Sequence, residues 1–72
     1  MEQLKELRNK MNLTQQEMAE FLEISLSLYQ KMEIGYKNIS LETLKTIKEK
    51  ENDIKKIVKD FDYNFFISKI IT

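Results

Sequence analysis

The chain has no cysteine, histidine, proline or tryptophan, and a single glycine in 72 residues. Without cysteine there is no disulfide framework and no thiolate zinc site, and without histidine any metal site would rest on carboxylates alone. No metal and no cofactor is therefore expected. The usual catalytic groups are thin as well: there is no imidazole, no thiol, no glycine-rich loop and no carboxylate pair set in a plausible pocket, so an enzyme is not expected. Charge of one sign is also missing, since 12 Lys and Arg balance 12 Asp and Glu. The basic footprint common to nucleic-acid binders is thus absent from the total, but a total averages over faces, and a neutral protein can present one basic side. Long apolar runs are absent too, and charge begins at Glu2, so neither a signal peptide nor a transmembrane span is expected, and a cytoplasmic setting is.

What is present is helical patterning. A chain of this length makes one domain and buries only roughly 60% of the surface its unfolded form exposes, which makes a partner subunit plausible. Leu4, Leu7 and Met11 lie at i, i+3 and i+7 and define a first amphipathic helix. The run LTQQE then places Thr14 as an N-cap with Glu17 three residues on, a capping box, and Leu13 and Met18 stand where a hydrophobic staple would close. A second helix from about residue 14 carries Met18, Ala19 and Leu22 inward and stops near Glu23, because Ser25 is the next good cap. Gly35 ends the third helix in the left-handed conformation. Ser40 caps a fourth, with Leu41, Leu44 and Ile47 on one face, and Ile54, Ile57, Val58 and Phe61 line up beyond Asn52. The stretch DYNFFISKII is dense in aromatic and β-branched residues and fits a helix or a strand. The expected fold is all-α, a four- to five-helix bundle. Residues 1–50 form its core, and residues 51–72 extend the same domain as a candidate dimerisation element.

Two short helices, near 14–22 and 25–34, joined by a tight turn and flanked by a helix on each side, make the arrangement of a helix-turn-helix. The run LTQQEMAEFLEISLSLYQKMEIGYKNISLETLKTI, with LKELR before it, resembles the Cro-and-repressor (Xre-like) helix-turn-helix family of phage and bacterial transcriptional regulators, over about residues 4–50. The resemblance implies a lambda-repressor-like DNA-binding domain whose second motif helix reads bases from positions such as Leu26, Ser27, Gln30 and Lys31. It also implies that Gln15 touches the DNA backbone and supports that helix, that Lys37 and Asn38 grip phosphate, and that Arg8 pairs with Glu33 in a structural salt bridge. Gln16 and Ser25 complete the candidate DNA-binding set. Independently, if Tyr29 and Met32 face the core, 100° per residue turns Ser27, Gln30, Lys31 and Ile34 outward.

Two departures from the family pattern matter. Glu23 stands where glycine is common in the turn, and holding it left-handed costs about 1 kcal/mol. Leu26 and Ile34 stand where polar or basic residues are common. Three readings of the apolar positions remain open: contact with thymine methyl groups, completion of a thin core from its edge by Leu28, or a surface turned over to a protein partner. The lysines from 45 to 59 alternate with acids and read as a solvated face. The tail residues Phe61, Tyr63, Phe65, Phe66, Ile67 and Ile70 hold more apolar surface than one short element needs, and a reader of two half-sites needs a dimer. The expected function is a sequence-specific DNA-binding regulator, a repressor, acting on a double-stranded operator as a homodimer with no membrane partner. The alternative is an antitoxin- or antirepressor-like protein-interaction module that keeps the fold without strong DNA binding.

Overall fold

A computed structural model describes residues 1–71. It contains six helices: α1 (Glu2–Lys10), α2 (Gln15–Leu22), α3 (Leu26–Glu33), α4 (Leu41–Glu49), α5 (Glu51–Ile57) and α6 (Tyr63–Ile71). Among the described residues there is no strand, and no helix is long and apolar enough to cross a membrane. The division between α4 and α5 is slight, since Lys50 alone separates them, ending one helix and starting the next with φ −97° and ψ 13°.

Each start of α2, α3 and α4 is set by a hydroxyl. Thr14 Oγ1 accepts from Glu17 N at 3.1 Å while Thr14 N donates to Glu17 Oε1 at 2.8 Å, which completes the capping box. Ser25 Oγ accepts from Leu28 N at 3.1 Å, and Ser40 Oγ from Thr43 N at 3.1 Å. The turn between α2 and α3 places Glu23 at φ 61° and ψ 39°, the left-handed conformation expected of it. Gly35 follows α3 at φ 86°, and Asn12, a residue that tolerates this region, takes φ 59° after α1.

The core runs through the whole chain. Leu4, Leu7 and Met11 meet Met18, Ala19 and Leu22 of α2, Tyr29 and Met32 of α3, Leu44 and Ile47 of α4, and then Ile54, Val58, Phe61 and Phe66. Ala19, fully buried, lets the α2 backbone pass close to its neighbour.

The tail is a helix. Asp62 Oδ1 accepts from Asn64 N at 2.9 Å, as an N-cap does, and the half-buried or buried Tyr63, Phe66, Ile67 and Ile70 follow at i, i+3, i+4 and i+7. Most of the tail's apolar residues serve the monomer's own core. Phe61 and Phe66 are core residues with ring centroids 5.8 Å apart, and Tyr63, Ile67 and Ile70 pack against the same core. Phe65 alone of the six stands exposed, at 60%. Two more apolar residues differ from expectation. Leu41, at the first position of α4, lies beyond the last packed neighbour and is 84% exposed, while Thr43 turns inward instead. Ile57 is half-exposed because Ile54 and Val58, four apart, already define the buried line of the short α5.

Candidate nucleic-acid interface

The site is built around one buried carboxylate. Glu33 lies on the inward side of α3 next to Tyr29 and Met32. Arg8 reaches it from α1 with two donors, Nε to Oε2 at 2.8 Å and Nη2 to Oε1 at 3.1 Å, while Arg8 Nη1 donates to the Leu13 carbonyl at 3.0 Å. This fork fixes both the α1–α3 contact and the chain just before α2. Tyr29 donates its hydroxyl to Oε2, and Gln15, from the first turn of α2, donates Nε2 to Oε1 at 3.0 Å. Burial pushes the Glu33 carboxyl upward, but the hydrogen bonds from Arg8, Tyr29 and Gln15 and the charge of Arg8 outweigh it and hold the group at about 2. Burial, reinforced by the hydrogen bond to Glu33, pushes the Tyr29 hydroxyl well above its ordinary range, and the same carboxylate raises Arg8 further. The group is therefore ionised at neutral pH and matched by Arg8.

With Tyr29, Met32 and Glu33 facing in, α3 turns Ser27, Gln30, Lys31 and then Ile34 outward, as the 100° geometry requires. Ser25, Lys37 and Asn38 are exposed at the two ends of this helix. The backbone of the following loop is tied back by a hydrogen bond from Lys37 N to the Lys31 carbonyl at 3.1 Å. Leu28 is half-buried against the core, and Leu26, also half-buried, flanks the outward face. Ile34 is 75% exposed. From residue 24 to 41 the exposed charges are Lys31 and Lys37 alone. In a chain of zero net charge, the exposed charges of this segment are thus positive.

The expected residues do not all stand free on that face. Gln15 is half-buried and turned toward Glu33, and its Oε1 accepts from Gln30 Nε2 at 3.0 Å, so α2 and α3 are stitched by an amide pair. Gln16 is exposed and donates Nε2 to Glu20 Oε2 at 3.1 Å, one turn along α2. Sequence reasoning missed Tyr29's hydroxyl as a partner of Glu33 and passed over Tyr36, which is exposed beside Lys37 in the loop after α3. An aromatic residue next to a lysine just past a helix-ending glycine was the available signal for Tyr36. Among the described residues no group of acidic side chains is placed to hold a metal ion. The arrangement can present amides, a hydroxyl and ammonium groups to a polar, negatively charged surface, on a helix whose position is fixed from behind.

In comparison with known proteins, a family model described as helix-turn-helix matches residues 4–49. No curated protein and no solved structure matches the chain.

Proposed function

Since the chain belongs to the helix-turn-helix family of Cro and repressor type, whose members are DNA-binding regulators, we propose that it is a sequence-specific transcriptional repressor that lays α3 in the major groove of an operator. The observation that supports this most is the outward face of α3, where Ser27, Gln30 and Lys31 stand exposed on a helix anchored through Glu33. In this reading Leu26, Ser27, Gln30 and Lys31 face base edges, with Leu26 packing on a thymine methyl. Gln15, Gln16, Ser25, Lys37 and Asn38 fix register on the sugar-phosphate backbone. The regulator acts in the cytoplasm of a bacterium, on a phage, mobile-element or chromosomal operator.

Dimerisation belongs to the same proposal. The longest extent of the molecule is 28 Å, shorter than the roughly 34–36 Å between half-sites. One copy therefore serves one half-site, and Phe65 on α6 is the residue offered to a second copy. Analytical ultracentrifugation showing only monomer at high concentration would remove this part.

A second reading, a protein-interaction module, is favoured by one observation: Ile34 stands in water at the end of the same helix. Electrostatics separates the two. Fluorescence anisotropy against the DNA flanking the protein's own gene, at several salt concentrations, should show affinity falling linearly in log salt. The Lys31→Ala variant should weaken it and lower the slope by about 1. No binding at low salt would sink the repressor reading and direct attention to a protein held by Leu26 and Ile34.

A further inference from the structure

A groove of about 420 Å³ opens where the start of α1, the loop from α3 to α4 and the end of α6 meet. That volume falls within the roughly 300–1,000 Å³ of small-molecule sites. Much of its wall is apolar: Leu44 is buried, Met1, Ile39 and Ile70 are half-buried, and Leu41 stands 84% exposed. Gly35 lines it too, and a methyl group built there would meet no atom within 4 Å, so the backbone leaves the space open. Three polar side chains reach the same groove, those of Gln3, Lys37 and Asn38. None of the three makes a side-chain hydrogen bond or ion pair among the described residues. A second lysine, Lys69, also lines it, with its ammonium 4.7 Å from the centroid of the Phe65 ring. Among the described residues no Asp or Glu lines the groove.

These facts select an occupant. The apolar wall suits a hydrocarbon body, while the ammonium of Lys37 and the two amides suit a head that accepts hydrogen bonds and carries negative charge. A cation would meet Lys37 with no lining carboxylate to offset it, and a plain hydrocarbon would cover polar groups without giving them partners. A second copy seated two-fold on this face would bring each groove against itself, lysine toward lysine. We propose that the groove binds a free, unbranched alkyl carboxylate. Its chain lies along Ile39, Leu44 and Ile70, its carboxylate accepts from Lys37 and from the amide nitrogens of Gln3 and Asn38, and Leu41 gains cover. Lys37 and Asn38 are also the residues assigned above to phosphate, so the ligand and DNA exclude each other at Lys37. The binding itself stands on the groove alone, whereas the exclusion rests on the DNA-binding reading above.

The test is a titration of the full chain with decanoate, below its micelle-forming concentration, followed by NMR shifts and calorimetry. Saturable binding of one molecule per chain is expected, with Kd on the order of a millimolar, and with shifts centred on Ile39, Leu44 and Ile70. From hexanoate to decanoate each added methylene should tighten binding by roughly 2- to 4-fold. Decyltrimethylammonium, with the same chain and the opposite charge, should bind at least about 5-fold more weakly, and Lys37→Ala should weaken decanoate by roughly 1.5- to 5-fold. Leu41→Ser, at a position too exposed to matter to the fold, should weaken it by roughly 3- to 10-fold. In anisotropy titrations, decanoate at its own Kd should lower DNA affinity by about 2-fold per half-site, with sodium acetate at equal concentration as the control. Leu41→Ser should bind DNA as the parent does and lose most of this response. No saturable binding, shifts centred on Phe65 instead, or equal affinity for the alkylammonium overturns the inference. So does self-association that Leu41→Ser removes and Phe65→Ser leaves, or binding of a glutamate- and leucine-rich peptide where no alkyl carboxylate binds. Decanoate bound in the groove with DNA affinity unchanged overturns the exclusion alone. Decanoate bound by a chain that binds no DNA even at low salt removes the DNA-binding reading and leaves the ligand site standing.

Discussion

The helix-turn-helix half of this molecule and its C-terminal half are held by different kinds of force. From α1 to α3 the fixed points are polar and directional: two hydroxyl caps, an arginine fork and a carboxylate receiving four side-chain donors. From α5 to α6 the core contacts are apolar and broad, with Ile54, Val58, Phe61 and Phe66 packed together, the directional contacts are confined to the start of α6, where Asp62 caps the helix and Tyr63 N donates to Glu51, and ion pairs such as Lys56 with Asp53 at 3.8 Å lie on the surface. α5 begins with no side-chain cap at all. Burial of area holds elements together without fixing their angles, whereas hydrogen bonds fix directions. On the proposed reading, the half that aims side chains at DNA is the half that holds the arginine fork and the buried carboxylate.

Removing one member from each half sharpens the contrast most. Phe66→Ala should cost about 3–5 kcal/mol through the cavity it leaves, and Glu33→Ala a similar amount by stranding Arg8 and the Tyr29 hydroxyl. Urea denaturation measures both. They part in function: Phe66→Ala, assayed where it remains folded, should keep its DNA preference, whereas Glu33→Ala should lose it. Equal effects on preference would break the comparison.

Acid probes the directional half alone. The Glu33 carboxyl is held at about 2, below its ordinary 4.5, so its contribution is fully present above about pH 4.5 and is lost as pH falls toward 2. The amount is at most about 3 kcal/mol. Urea midpoints followed across that window should fall in the parent protein and fall less in Glu33→Ala. Ser25→Ala should cost about 1 kcal/mol by uncapping α3. Glu23→Gly should raise stability by about 0.5–1 kcal/mol, relieving the left-handed turn at the loss of a weak ion pair with Lys50 at 3.7 Å. The smallest effect is expected on the apolar half's outer surface, where Phe65→Ser should move monomer stability by no more than about 0.5 kcal/mol while abolishing self-association.

Local chemistry was legible in the sequence. Thr14 with Glu17, Ser25 and Ser40 mark helix starts because a cap acts on backbone groups only two or three residues away, and Gly35 marks an end for the same reason. α6 was readable by the same logic through Asp62 and the spacing of Tyr63, Phe66, Ile67 and Ile70, but the density of β-branched and aromatic residues pulled equally toward a strand. Periodicity places Leu41 and Ile57 on apolar lines yet does not say where the neighbouring helix ends, and both prove exposed. The Arg8–Glu33 pair was accessible only through the family pattern, since 25 residues separate its members. The inward turn of Gln15 was not legible at all. A glutamine in the first turn of a helix reads as solvated until α3 is packed beside it and Glu33 is seen waiting for a donor.

The arginine fork has a mechanical consequence. By bracing α3 against α1 and the entry to α2 at once, it leaves α3 little freedom to tilt and, on the proposed reading, to follow an irregular groove. Whatever mismatch exists between a rigid protein and a duplex must then be absorbed by the duplex, whose bending and twisting compliance varies from one base step to the next. A regulator of the proposed kind would rank DNA by its softness as well as by its letters, so base pairs lying between two half-sites and touched by no side chain would still affect how tightly the site is held.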